Sequence, residues 1–63
     1  MEYQVIGEFD KRLIKFNTTS LEEANIIYRG WNEIMTKGDK LYLYRIGKNG
    51  RIRMKSREPI ENI

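Results

Sequence analysis

Residues 40–57 read KLYLYRIGKNGRIRMKSR, and this stretch decides the fold. Apolar and polar side chains alternate on both sides of Asn49-Gly50, the dipeptide best suited to a tight hairpin because both positions tolerate positive φ. A two-residue turn there opposes Gly47 to Ile52, Arg45 to Met54 and Leu43 to Ser56. One face then carries Leu41, Leu43, Ile52 and Met54. The other carries Tyr42, Tyr44, Ile46, Arg51, Arg53, Lys55 and Arg57, with Lys55 directly opposite Tyr44. A four-residue Gly47–Gly50 loop keeps the same partition, because strand side chains alternate with period two.

Working outward, Tyr3 to Asn17 reads as a second hairpin turning at Asp10-Lys11. In that register Val5 faces Phe16, Gly7 faces Ile14 and Gln4 faces Asn17. Tyr3, Val5, Phe9, Ile14 and Phe16 share one face, and Gln4, Ile6, Glu8, Leu13 and Lys15 the other. Between the hairpins lies a helix, predicted over about residues 21–37. Ser20 and Glu23 have the spacing of a capping box, and Glu22 and Glu23 suit the positive end of the helix dipole. Leu21, Ala24, Ile27, Tyr28, Trp31, Ile34 and Met35 form one apolar stripe, and Gly38 reads as the left-handed stop. Gly30 falls mid-helix at a cost of about 1 kcal/mol against alanine, which implies a close approach by a strand or by Trp31.

The fold class is therefore α+β, of ββαββ order: a four-stranded antiparallel sheet of two hairpins with one helix packed on one face. The helix stripe is expected to meet Tyr3, Val5, Ile14, Phe16, Leu41, Leu43, Ile52 and Met54. With 63 residues the chain makes a single small domain. Pro59 ends the last strand, and residues 58–63 read as a tail that either folds back through Ile60 and Ile63 or frays.

Composition narrows the function classes. The chain has no cysteine and no histidine, which excludes disulfides and removes the usual zinc ligands. A secreted domain this small normally needs cross-links, so the expected compartment is the cytoplasm. Neither a signal peptide nor a membrane-length apolar run is read in the sequence. Catalysis is not expected: the acidic residues fall in turns, at the helix start and in the tail, where solvent reaches them, and no spacing pairs a nucleophile with a base. Gly47-Lys48-Asn49-Gly50 lacks the spacing and the following helix of a phosphate loop. No metal or cofactor is implied.

The net charge of +3 hides an asymmetry: residues 1–36 carry −2 and residues 37–63 carry +5, with six basic and no acidic side chains from Arg45 to Arg57. Such segregation points to a polyanionic or acidic partner. The face with Tyr42, Tyr44, Arg51, Arg53, Lys55 and Arg57 combines aromatic rings for base stacking with cations for phosphates, which is the requirement for nucleic-acid binding. The same residues also suit an exposed strand, where they form cross-strand pairs and protect an edge. The competing expectation is a protein-interaction module, a homodimer or a small adaptor or inhibitor of phage or mobile-element origin. The apolar members of the outer surface, Ile6, Leu13 and Ile46 with the two tyrosines, would pack two sheets face to face as a homodimer or dock on a larger protein, and an adaptor or inhibitor would dock on an acidic protein surface.

Overall fold

The helix start is built by three side chains rather than two. In the computed structural model, which describes residues 1–57, the Ser20 hydroxyl accepts from the Glu23 N–H at 3.1 Å. The Glu23 carboxylate does not return to the Ser20 amide as in a capping box. It accepts from the Thr18 hydroxyl, and the Ser20 N–H donates to Thr18 Oγ1 at 3.1 Å. Thr18 thus relays the second half of the cap, two residues before the capping Ser20.

Five elements follow: β1 Glu2–Phe9, β2 Arg12–Thr18, α1 Leu21–Glu33, β3 Lys40–Gly47 and β4 Gly50–Arg57. They make one antiparallel sheet in the order β2-β1-β3-β4, the ββαββ architecture expected. Because β1 is antiparallel to both neighbours, β2 and β3 run in the same direction with β1 between them. The connection through α1 must therefore cross the sheet, and it lays the helix chiefly on β1 and β3 and less on β2. Among the described residues no helix is long and apolar enough to cross a membrane.

The first hairpin has the predicted register, Val5 to Phe16 and Gly7 to Ile14. Its turn residues Asp10 and Lys11 both take positive φ, 53° and 67°, as a two-residue turn matched to strand twist requires. The core is small: Val5, Ala24, Leu41 and Leu43 are buried, with Tyr3, Phe16, Ile27, Tyr28, Trp31 and Met35 packed around them. Ile14, Ile52 and Met54, expected beneath the helix, are exposed. One 13-residue helix, about 20 Å long and 10 Å wide, covers the two central strands but not the edges where these three lie.

Two helix expectations are corrected. The helix ends at Glu33, not near residue 37, and the Ile34 N–H tightens the last turn by bonding Trp31 O. The chain then turns about Asp39. Its carboxylate accepts from the Thr36 N–H at 2.9 Å, the Thr36 hydroxyl at 3.1 Å and the Asp10 N–H at 3.1 Å. Gly38, at φ 95°, serves this loop rather than the helix terminus. Nor does anything approach Gly30, whose added Cβ would meet open space. The close approach is at Gly7, where a Cβ would stand 2.3 Å from Phe9 Cε2 and 3.1 Å from Trp31 Cε3. Trp31 and Phe9 meet edge to face there, with centroids 6.0 Å apart.

The two glycines should therefore respond oppositely to alanine. Gly30→Ala is expected to stabilise the fold by up to about 1 kcal/mol. Gly7→Ala should cost about 1–3 kcal/mol through overpacking against Phe9 and Trp31. Urea midpoints at equal m-value check both; destabilisation by Gly30→Ala would overturn the first.

Asp39, only 7 % exposed, was expected to be solvated with the other acids. Its carboxyl lies below the ordinary aspartate value, chiefly because the Thr36 backbone N–H and then the Asp10 N–H favour the anion; burial opposes them, and the Thr36 hydroxyl adds to the lowering. A folded-state value below the unfolded one stabilises the fold at higher pH. That contribution is lost as pH falls from the unfolded value of about 3.9 through the folded one. Denaturant titrations across this acid range should show a steeper loss for the native chain than for Asp39→Asn. Parallel curves would refute the assignment.

Candidate nucleic-acid interface

The second hairpin departs from the expected register, and the departure rearranges the candidate site. Gly47 faces Gly50, Ile46 faces Arg51, Arg45 faces Ile52 and Tyr44 faces Arg53. Only Gly50 takes positive φ, 112°, while Asn49 does not, so the loop is not the Asn-Gly turn, in which both residues would be left-handed. The register then shifts between Leu43 and Tyr44: Leu43 faces Lys55, Tyr42 faces Ser56 and Leu41 faces Arg57. Met54 is the extra residue of a β-bulge, opposite no partner of its own.

One extra residue reverses the facing of everything beyond it. Arg51 and Arg53 stay on the face away from the helix. Lys55 and Arg57, expected beside them, turn to the helix side. Lys55 Nζ donates to Asn25 Oδ1 at 2.9 Å and lies 5.5 Å from the Tyr28 ring centroid, and Arg57 Nη1 donates to Asn32 Oδ1. The expected Tyr44–Lys55 contact is thus replaced by Lys55 on Tyr28. An unbroken register would have lined up four like charges at intervals of about 7 Å on one face. The bulge divides them and gives two of them acceptors. Asn25, Tyr28 and Asn32 were missed as their partners; their spacing of three and four, one polar row along the helix flank, was the available signal.

What remains on the outer face is a compact group. Tyr42 and Tyr44 lie side by side, centroids 6.0 Å apart and rings inclined by 29°. The Arg51 guanidinium sits over Tyr44 at 4.4 Å and donates to Gln4 Oε1 at 3.3 Å. Arg53 stands opposite Tyr44, and Lys15 lies on the same face across β1. Tyr42, Tyr44 and Ile46 are half-buried, so each presents part of its side chain to solvent.

The apolar patch proposed from Ile6, Leu13 and Ile46 does not assemble. Ile6 is 7 % exposed, enclosed between Lys15 and Tyr42, its neighbours across the sheet. Leu13 is 60 % exposed but pairs with Glu8, whereas Ile46 pairs with Glu2. These two positions stand about 20 Å apart along β1. The expectation that residues 58–63 fold back or fray falls on residues outside those described. Among the described residues, no group of three or more His, Cys, Asp or Glu side chains is placed to hold a metal ion.

On the helix side, burial raises the Tyr28 phenol above its ordinary value of 10.0, while Arg57 pulls it down. Arg57→Gln should raise the Tyr28 titration further, as followed by NMR of the ring protons in alkaline solution. A downward shift would show that Arg57 does not face this ring. No family model, curated protein or solved structure matches this chain.

Proposed function

We propose that this chain is a binding module rather than an enzyme. Its β3–β4 outer face takes up single-stranded nucleic acid, with bases against Tyr42 and Tyr44 and phosphates against Arg51 and Arg53. The observation that carries this reading is the pair of adjacent, half-exposed tyrosine rings with two guanidinium groups on the same face. Aromatic stacking on such a platform contributes about 1–3 kcal/mol per base with little sequence preference. The outer sheet face offers no helix to enter a duplex groove, which favours a single strand. The +5 charge of residues 37–63 supplies the long-range attraction. A reducing, cytoplasmic compartment suits a cysteine-free domain of this size.

Lys55 and Arg57 are engaged with the helix, so they are placed outside the binding group. Fluorescence anisotropy with labelled single- and double-stranded oligonucleotides, at two salt concentrations, tests the reading. The single strand should bind more tightly, with a logarithmic salt slope of about −1.4 if two phosphates are neutralised. Arg51→Ala/Arg53→Ala should weaken binding about tenfold or more, and Tyr44→Ala by about 1–3 kcal/mol. Lys55→Ala/Arg57→Ala should leave it within about twofold, since neither side chain faces the platform. No affinity at low salt, or affinity that survives the Arg51/Arg53 pair, sinks the idea and leaves an acidic protein surface as the partner.

A further inference from the structure

The two edges of the sheet are built differently. β4 carries Arg51, Arg53, Lys55 and Arg57 and is bent by its bulge; charge and irregularity are the usual protections against strand addition. β2, at the other edge, has no proline and no bulge, and pairs with β1 in unbroken register over seven residues. Leu13 and Ile14 are consecutive, point to opposite faces, and are 60 % and 46 % exposed. The closing pair of a two-residue hairpin, here Phe9–Arg12, is hydrogen-bonded, and the ladder alternates from there. Leu13, Lys15 and Asn17 therefore aim their N–H and C=O groups away from β1, at the open edge.

We propose that β2 is a self-association edge, pairing antiparallel with β2 of a second copy about a two-fold axis through Ile14. Charge decides both the occupant and the register. β4 on β4, or β4 on β2, sets rows of basic side chains against each other. For β2 on β2, keeping each helix-side residue opposite a helix-side residue allows only registers centred on a residue. Centring on Lys15 sets Lys15 against itself, and centring on Leu13 sets Lys11 against Lys15. Centring on Phe16 carries Leu13 past the end of the partner strand. Centring on Ile14 places Ile14 on Ile14, Leu13 opposite Lys15 and Arg12 opposite Phe16, each twice by symmetry, with no like charges apposed. The outward amides of Leu13 and Lys15 then bond each other, and the central Ile14 pair is of the closer, non-hydrogen-bonded kind.

The product is a continuous eight-stranded sheet in the order β4-β3-β1-β2-β2-β1-β3-β4. Both tyrosine–arginine faces lie on the same side, five strand spacings or about 24 Å apart between the β3 strands. This association does not depend on what those faces bind.

The chain has no cysteine, so single substitutions report pairing directly. Ile14→Cys should form a disulfide-linked dimer under mild oxidation at least tenfold faster than Phe16→Cys, because only position 14 lies on the axis. Sedimentation velocity from micromolar to millimolar chain should show reversible dimerisation. Lys15→Pro removes one outward amide but no β1 bond, and should weaken that dimerisation tenfold or more with an unchanged far-UV spectrum. A monomer throughout the range overturns the proposal. So does a dimer in which Ile14→Cys links no faster than Phe16→Cys, which would point to face-to-face packing or another register.

Discussion

The seating of Trp31 above Gly7 is the constraint from which the rest of the structure follows. A glycine on the helix side of β1 leaves a gap one side chain deep. Phe9 and the indole fill it from two directions. That contact holds α1 over β1 and β3, where Val5, Leu41, Leu43 and Ala24 are sealed from water. A single short helix placed there cannot also cover the edge strands. The exposure of Ile14, Ile52 and Met54 is therefore a consequence of helix position, not of an error in their polarity.

Around this centre the polar groups act as ties at the corners. Asp39 links the β1–β2 turn to the loop before β3 by accepting from Asp10 and Thr36. It thereby holds two consecutive non-glycine residues at positive φ, a conformation that costs about 1–2 kcal/mol per residue. Thr18 links the end of β2 to the helix cap. Lys55 and Arg57 reach from β4 to Asn25 and Asn32, where apolar contact between strand and helix is sparse. Each tie joins elements that the small apolar core does not hold by itself.

The element order, the first hairpin's register and the helix start were legible because each rests on local chemistry: alternation, a two-residue turn, a hydroxyl cap. The helix end was misread because Gly38 is a plausible stop for either a helix or a loop, and the deciding carboxylate of Asp39 acts through Asp10, 29 residues away in sequence. Gly30 misled for a related reason: a glycine that serves packing and one that does not look alike in a sequence, and Gly7 was the one that mattered. The candidate site was half legible. Tyr42, Tyr44, Arg51 and Arg53 fall together as their alternation implied. Beyond Met54 the alternation continues unbroken, Lys55 and Arg57 keeping period two with Arg51 and Arg53, so nothing local marks the bulge. What marks it is the complementarity of those cations to Asn25, Tyr28 and Asn32, which lie on another element.

The bulge at Met54 also has a meaning in terms of chain length. Along a strand, facing is a two-valued property, and each inserted or deleted residue inverts it for all that follows. A one-codon change within residues 53–55 would therefore exchange the addresses of Lys55 and Arg57 between the helix flank and the tyrosine face, with no change in the residues themselves. Two cations that now fasten the last strand to the helix would instead join the surface that Arg51 and Arg53 already make positive. Anchoring and surface charge are thus set against each other by the count of residues in a single strand, and variation in length there would be more consequential than most variation in type.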